Sequence, residues 1–562
     1  MTDEQPHRTP TSIDTIAEDW VTTLIDLEPS MAVWLGLPGR LGEYGDQSPA
    51  GHEAHLAAAK DVIGRLEDAT VADDIDRVTK TDLLAELRLE VERSDARLQE
   101  RDLNVIASPS QEIRDVFDLM SHETADDWAT IAERMGNVPG AIAGYIETLR
   151  SGIGHGVVPA RRQVAEVAAQ ARKHADAQNG FFAGFAASAE LEGGAAAPDA
   201  VASDLARGAQ AAAQAYGELA EFLENELAPK AGEQDGVGRE IYALQSRQFL
   251  GAAIDLDETY EWGLAELQRM VDEQTRIAGE IQSGASVEEA IAVLDRDASR
   301  KLHGTKALQE WMQRTADHAV AELSKTHFDI PEPVKALECM IAPTQEGGIY
   351  YTGPSDDFSR AGRMWWSVPE GVTEFDTWRE LTTVYHEGVP GHHLQIGQAV
   401  YNRAQLNTWR RQLAGTSGHA EGWALYAERL MEELGYLDDP ADRLGMLDGQ
   451  RMRAARVVLD IGVHLGKPRP DGNGTWDADY ALEFMRKNVN MDDAFVRFEV
   501  NRYLGWPGQA PAYKVGQRIW EQIRAAAQSR QGADFSFKQF HKDALDLGGV
   551  GLDTLQAELL RG

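Results

Sequence analysis

Residues 377–395 read TWRELTTVYHEGVPGHHLQ. Thr377 and Glu380 have the spacing of a capping box, and Leu381, Val384 and Tyr385 continue the helical pattern into His386 and Glu387. In the zinc pattern H-E-x-x-H, two imidazoles four residues apart share a helix face. They reach one ion while the glutamate meets the bound water. Here the second histidine comes six residues after the first, at 392, and Pro390 and Gly391 lie between them. An unbroken helix would turn about 600° over six residues, leaving His392 about 120° away from His386. Pro390 disfavours helical geometry at Val389, and Gly391 permits unusual dihedrals, so a local bulge can return His392 to the face of His386. His393 keeps that face but lies about 10.5 Å further along the axis. His392 is therefore the preferred second ligand and His393 the alternative.

A site of this class needs a third protein ligand and an open position for water. Glu421, in HAEGWALYAE (419–428), follows His392 by 29 residues, enough for a turn and an antiparallel return. Glu428 shares its helix face at i+7. It is expected to orient a ligand from behind, and it is the reserve ligand. His419 is expected beside the cluster rather than on the metal. The set His386, His392 and Glu421 predicts one Zn²⁺ per chain, chosen over other divalent metals on ligand type.

Outward from this stretch, most of the chain has helical period. Examples are Trp20-Leu24-Leu27, Leu83-Leu87 and Trp128-Ile131-Met135. The alanine-rich residues 160–228, broken near 192–198, predict two long antiparallel helices. Residues 257–281 and 287–326 continue as helices. The texture changes at about 331, where GGIYYTGP (347–354) and RMWWSVP (363–369) predict short strands. The expected fold is mainly α, with a disordered N-terminus (1–12), an N-terminal helical lobe (13–255) and a metal-binding catalytic lobe (256–562). One small β-sheet sits near the metal helix.

A formal net charge of −38 repels phosphate backbones and anionic lipid, so neither nucleic acid nor a membrane is an expected partner. The single cysteine, Cys339, lies in an apolar run and reads as a buried small hydrophobe. The first ten residues lack the apolar core of a signal peptide, and no stretch approaches the roughly 20 apolar residues of a membrane span. A cytoplasmic protein is expected; its oligomeric state stays open.

The stretches HEGVPGHH (386–393), EGWALYAE (421–428), Arg502-Tyr503, WPGQA (506–510) and YKVG (513–516) resemble the bacterial family of domain of unknown function 885. The likeness runs along the whole chain in order and length and is most specific from 345 to 517. That family is similar to the helical gluzincins, among them thimet-type oligopeptidases, angiotensin-converting enzyme and the carboxypeptidase Taq type. The resemblance implies a helical metallopeptidase-like fold with a deep cleft and one zinc. It also implies a late tyrosine, here Tyr513, donating to the oxyanion, and an edge strand beside the metal helix that takes an extended substrate.

The expected activity is zinc-dependent hydrolysis of short peptides, with Glu387 as general base. Arg502 and Arg456 are candidates for a substrate carboxylate, because guanidinium binds it as a fork. His464, four residues after Asp460, is a candidate substrate contact, with Asp460 as its support. Tyr350-Tyr351 or Arg363 to Val368 would supply the edge strand. For the arginines and for the Asp460–His464 pair, the alternative is an ordinary buried ion pair. Two rival functions remain: hydrolysis of a non-peptide amide or other carbonyl substrate, and a non-catalytic helical binding protein with a structural metal.

Overall fold

The structure is a computed structural model that describes residues 7–343 and 348–561. Helix takes 68% of the chain against five short strands among the described residues, so the architecture is mainly α. Among the described residues no helix is long and apolar enough to cross a membrane. Residues 1–6, part of the expected disordered terminus, and Gly347 of the expected strand lie outside the described residues. Residues 7–11 do not fit that expectation of disorder. Arg8 there donates to Asp14 (2.5 Å), Asp73 (2.6 Å) and Asp76 (2.5 Å), tying the segment to two helices.

The N-terminal half is built of helices around two apolar clusters. Ser12–Leu27, Pro49–Asp68 and Asp74–Asp95 bury Ile13, Trp20, Leu66 and Leu87 together. Ala125–His155 packs along Asp199–Phe222 through Ile142, Tyr145, Tyr216 and Leu219. The alanine-rich stretch forms three helices rather than two: Arg161–His174, Phe181–Ala187 and Asp199–Phe222. The extra break comes from Asp176, whose carboxylate accepts the backbone N–H of Gln178 and Asn179 and turns the chain.

The C-terminal half surrounds Pro440–His464, a helix buried along most of its length as a core helix must be. Leu256–Ile281, Thr377–Glu387, Ala478–Asn488 and Gln509–Gln531 pack against it. Trp378, Trp423 and Trp520 are fully buried in this core, and burial of each stabilises the fold by roughly 2–3 kcal/mol. Arg239–Leu250, counted above with the N-terminal lobe, sinks Tyr242 and Leu250 into the same core. Trp409 from the second half packs in the first.

The strands form two sheets rather than one. β1 (Lys301–His303) pairs antiparallel with β5 (Glu374–Asp376), interrupting the helix expected over 287–326. That helix becomes Val287–Leu294 and Thr305–Thr326. β2 (Leu337–Ile341), β3 (Ile349–Thr352) and β4 (Gly362–Trp366) form a three-stranded sheet in the order β2-β4-β3. Met364 and Trp366 face inward against Leu308 and Met312 of the Thr305–Thr326 helix. Residues 363–366 are therefore a central strand, paired on both sides, and cannot supply the expected free edge. The outer edge of β2 is covered as well. Gln309 and Gln313 donate to the carbonyls of Cys339 and Leu337, and Gln313 accepts the N–H of Cys339. β3, with Tyr350 and Tyr351, is the edge strand left, and it lies against the Thr377–Glu387 helix. Cys339 is buried, as expected.

Candidate metal centre

The Thr377–Glu387 helix is not capped by its threonine. Thr377 Oγ1 donates to the carbonyl of Arg300, so tertiary contact has taken the side chain that a local cap would use. The helix carries His386 and Glu387 in its last turn and stops at Gly388 (φ −95°, ψ −125°). A second helix, His392–Tyr401, begins after Gly391 (φ −73°, ψ −134°). The chain thus breaks and restarts instead of bulging within one helix. The Gly391 N–H donates to the Tyr385 carbonyl at 3.0 Å. A Cβ on Gly391 would sit 1.8 Å from the His386 carbonyl oxygen, so only glycine lets the loop fold this tightly onto the helix end. The result brings the two imidazoles side by side, centroids 4.9 Å apart and rings at 89°.

Glu421 arrives on Ser417–Glu433, capped by Thr416. Two contacts fix this helix against the loop and its neighbour. Trp423 Nε1 donates to the Pro390 carbonyl at 2.8 Å. Gly422 meets Gly516 of Gln509–Gln531 so closely that a Cβ there would lie 2.5 Å from the Gly516 backbone. Glu421 Oε2 then stands 3.3 Å from His386 Nε2 and 3.6 Å from His392 Nε2. The edge of a tetrahedron with ligand bonds of about 2.0–2.1 Å is about 3.3 Å. The side chains are 6%, 12% and 23% exposed, so Glu421 is the most open of the three although the oxygen it turns to the imidazoles is buried.

Proton positions sharpen the reading. Glu428 Oε1 accepts from His386 Nδ1 at 2.8 Å, which leaves Nε2 of a neutral His386 as a bare lone pair. Glu421 Oε2 is a buried acceptor without a hydrogen bond. Two acceptors face each other, an arrangement that requires a cation or a proton between them. In the absence of a metal a proton serves. Burial alone would lower the pKa of His386, but Glu421 and Glu428 overcome it and push it up to about 10. Likewise burial would raise the Glu421 carboxyl, yet the two imidazoles hold it well below the usual range. This donor set, two imidazoles and a carboxylate without cysteine, fits zinc.

Behind His386 runs a chain of hydrogen bonds that sequence spacing did not disclose. Gln450 Nε2 donates to Glu428 Oε2 (3.2 Å), and Lys514 Nζ donates to Gln450 Oε1 (2.6 Å). Lys514 also reaches Gln517 (2.9 Å) and Glu266 (3.0 Å). All of these side chains are buried. An ammonium only donates, so it fixes which end of the Gln450 amide faces Glu428. The one available signal was the position of Lys514 beside Tyr513; nothing marked Gln450.

The family described as "Bacterial protein of unknown function (DUF885)" matches residues 29–559. The chain belongs to this family. Two solved structures share the fold of this DUF885 chain, both described as a "putative lipoprotein". One, from Colwellia psychrerythraea, has TM-score 0.83 and 21% identity, with 98% of this chain and 99% of the other covered. The second, from Shewanella oneidensis and of unknown function, has TM-score 0.74 and 17% identity, with 98% and 100% covered. A search of curated proteins finds no match.

The remaining site residues of this DUF885 chain divide in two. Glu387, 7% exposed, takes no hydrogen bond or ion pair from the described residues. Tyr513 lies half-buried with its ring 5.2 Å from the Arg456 guanidinium; burial first, then the Glu421 charge, pushes its hydroxyl up to about 12. Arg456 and Arg502, candidates for a substrate carboxylate or for an ordinary buried ion pair, both hold Glu499 (2.8 and 2.9 Å). His464 is likewise packed away. It stacks on Tyr242, bonds the Tyr503 carbonyl (3.1 Å) and is 2% exposed, while Asp460 accepts from Tyr242 and the Gly508 N–H. His393 turns from the cluster to the Val334 carbonyl (2.6 Å) and the Tyr351 hydroxyl (2.9 Å), which makes His392 the geometric partner of His386. Tyr351 is thereby engaged in packing, and Tyr350 stays exposed on the edge strand, stacked on Trp365. His419 is buried beside Trp520 and near Gln395, with Nε2 unpartnered.

Proposed function

We propose that this protein is a zinc-dependent hydrolase, and specifically a metallopeptidase of short peptides. One observation carries the reading: Glu421 Oε2, buried and without a hydrogen bond, faces the Nε2 atoms of His386 and His392. His386, His392 and Glu421 would hold one zinc ion. When bound, the ion supplies a Lewis acid that polarises a carbonyl and acidifies water. Glu387, adjacent to His386 and unengaged by other side chains, takes the proton of the attacking water on its carboxylate and delivers it to the leaving amine. Tyr513, whose hydroxyl is a neutral donor at physiological pH, points to the role of oxyanion partner. The exposed edge of β3, beside the His386 helix, suits an extended peptide better than a compact amide. The partial exposure of Glu421 favours an open site over a closed structural metal.

The test begins with elemental analysis of wild type, His392→Ala, His393→Ala and Glu421→Ala. About one zinc per chain is expected in wild type and His393→Ala, and none in the other two. A peptide library then follows. Cleavage that disappears in Glu387→Gln while zinc is retained supports the peptidase. Zinc without cleavage of any member, against turnover of small amides, would move the reading to a non-peptide amidase. Full zinc in both His392→Ala and Glu421→Ala would refute the ligand set.

A further inference from the structure

A second recess lies between the two halves of the chain, away from the metal ligands, none of which lines it. It is a cavity of about 390 Å³, within the range of small-molecule sites. Its walls include Arg93, Arg101, Asp102, Glu112, Gln245 and Trp506. Two of these are arginines that the cavity wall leaves without a partner. Several buried arginines elsewhere are held by partners: Arg429 by Glu273 and Glu432, Arg456 and Arg502 by Glu499, Arg410 by backbone carbonyls. Arg93 and Arg101, half-buried in the cavity wall, have no ion pair and no hydrogen bond among the described residues, and Arg93 Nε is a buried orphan.

The other charges of the cavity sort cleanly. Glu90 is taken by His55 (2.7 Å) and Asp235 by Arg162 (3.1 Å). Asp102 and Glu112 are left, neither in an ion pair, both exposed to the cavity. Gln245 Oε1 and Gln163 Oε1 add two unpartnered acceptors. The wall thus offers two guanidiniums and two carboxyls outside any ion pair or hydrogen bond among the described residues, Arg93 and Asp102 near enough to feel each other's charge, with the apolar rings of Phe249 and Trp506 alongside (centroids 5.5 Å apart). Withdrawal into the wall raises both carboxyls, Asp102 to about 6 against the opposing charge of Arg93, and Glu112 to about 7 with the Asp102 charge adding to the rise.

We propose that this cavity binds a zwitterionic small molecule of dipeptide size, its carboxylate held by Arg93 and Arg101 and its ammonium by Asp102 and Glu112. A guanidinium fork matches a carboxylate, and an ammonium matches the paired acids. The proposal stands on the cavity alone and is independent of the metal chemistry.

Calorimetric titration of the full chain tests it with four probes: leucyl-leucine, its N-acetyl form, its C-terminal amide and inorganic phosphate. The free dipeptide is expected to bind one per chain, and each blocked form about tenfold or more weaker, as loss of a charge-assisted bond dictates. Arg93→Met and Arg101→Met should lose the dipeptide and yet melt close to wild type, because neither side chain makes an ion pair or hydrogen bond with the described residues. Asp102→Asn, which keeps the shape, should weaken the free dipeptide and leave the N-acetyl form unchanged; it serves if a methionine variant fails to fold. His392→Ala should bind the dipeptide as wild type does, so failure of the metal reading leaves this one standing. No binding of the dipeptide, equal binding of its amide, preference for phosphate, or unaltered binding in the arginine variants would each overturn the proposal.

Discussion

Two buried clusters of charge lie on neighbouring helices of the C-terminal half, and they are built on opposite rules. In the first, Glu499 accepts from Arg502 Nε and Arg502 NH2 (2.9 Å each), from Arg456 (2.8 Å) and from the Tyr503 hydroxyl. Arg502 spends its remaining nitrogen on Gln509 (2.5 Å). Burial would raise the Glu499 carboxyl, but the two guanidiniums bring it down to about 2. Every acceptor there has its donors. In the second, Glu421 Oε2 meets two imidazole nitrogens and receives no hydrogen bond from either. Burial and charge alone do not separate these clusters. Matching donors to acceptors does: a closed count marks structure, and a deficit of donors marks a place for a cation.

Removing one carboxylate from each cluster is the sharpest way to break the comparison. Glu499→Ala leaves two guanidiniums buried against each other, and unfolding should become easier by about 3–5 kcal/mol in denaturant titration. Zinc content of the folded protein should not change. Glu421→Ala should do the reverse, abolishing zinc while costing less stability than Glu499→Ala, since the imidazoles it leaves behind can stay neutral whereas guanidiniums cannot. If both variants lose zinc and stability together, the clusters are one unit and the distinction fails. A smaller effect is expected one bond behind the proposed metal position. Glu428→Gln keeps the shape but weakens the hold on the His386 Nδ1 proton, and zinc affinity by competitive chelation should fall about 10–100-fold. Unchanged affinity would mean that His386 is oriented by packing alone.

Much of this was legible in the sequence, and the failures have physical causes. His386, Glu387, His392 and Glu421 share short motifs whose spacing is set by local geometry, so they could be grouped without a fold. The helices showed through their period. The cap at Thr377 was misread because Arg300, far away in sequence, captures the hydroxyl. β2 escaped because its parallel partner β4 lies across an intervening strand, and an apolar run such as Leu337–Ile341 carries no sign of its pairing. For Arg456 and Arg502 the sequence leaves two readings open, a substrate carboxylate or an ordinary buried ion pair, although Glu499 stands three residues before Arg502. The i, i+3 pair was visible, but its sharing with Arg456 is purely tertiary.

Gln450 and Lys514 mark the limit of such reading, and they allow the finest test. Three helices must converge before Lys514 can reach Gln450, and Gln450 before it can reach Glu428. The chain has a direction. Lys514 donates only, so Gln450 presents its carbonyl to Lys514 and its amino group to Glu428, which therefore stays an acceptor for His386. Burial lowers the Lys514 pKa to about 8 against the pull of Glu266, so the charge that sets this direction is held with little to spare. Lys514→Met removes the donor and frees the Gln450 amide to turn over, which would offer Glu428 a carbonyl instead of an amino group. Zinc affinity should then fall by a few-fold, less than for Glu428→Gln, because the His386–Glu428 bond itself remains. Gln450→Leu added to Lys514→Met should cause no further loss, as expected if Lys514 acts only through Gln450. Additive losses in the double variant would show instead that Lys514 acts through packing of the Gln509–Gln531 helix, and the directed chain would be refuted.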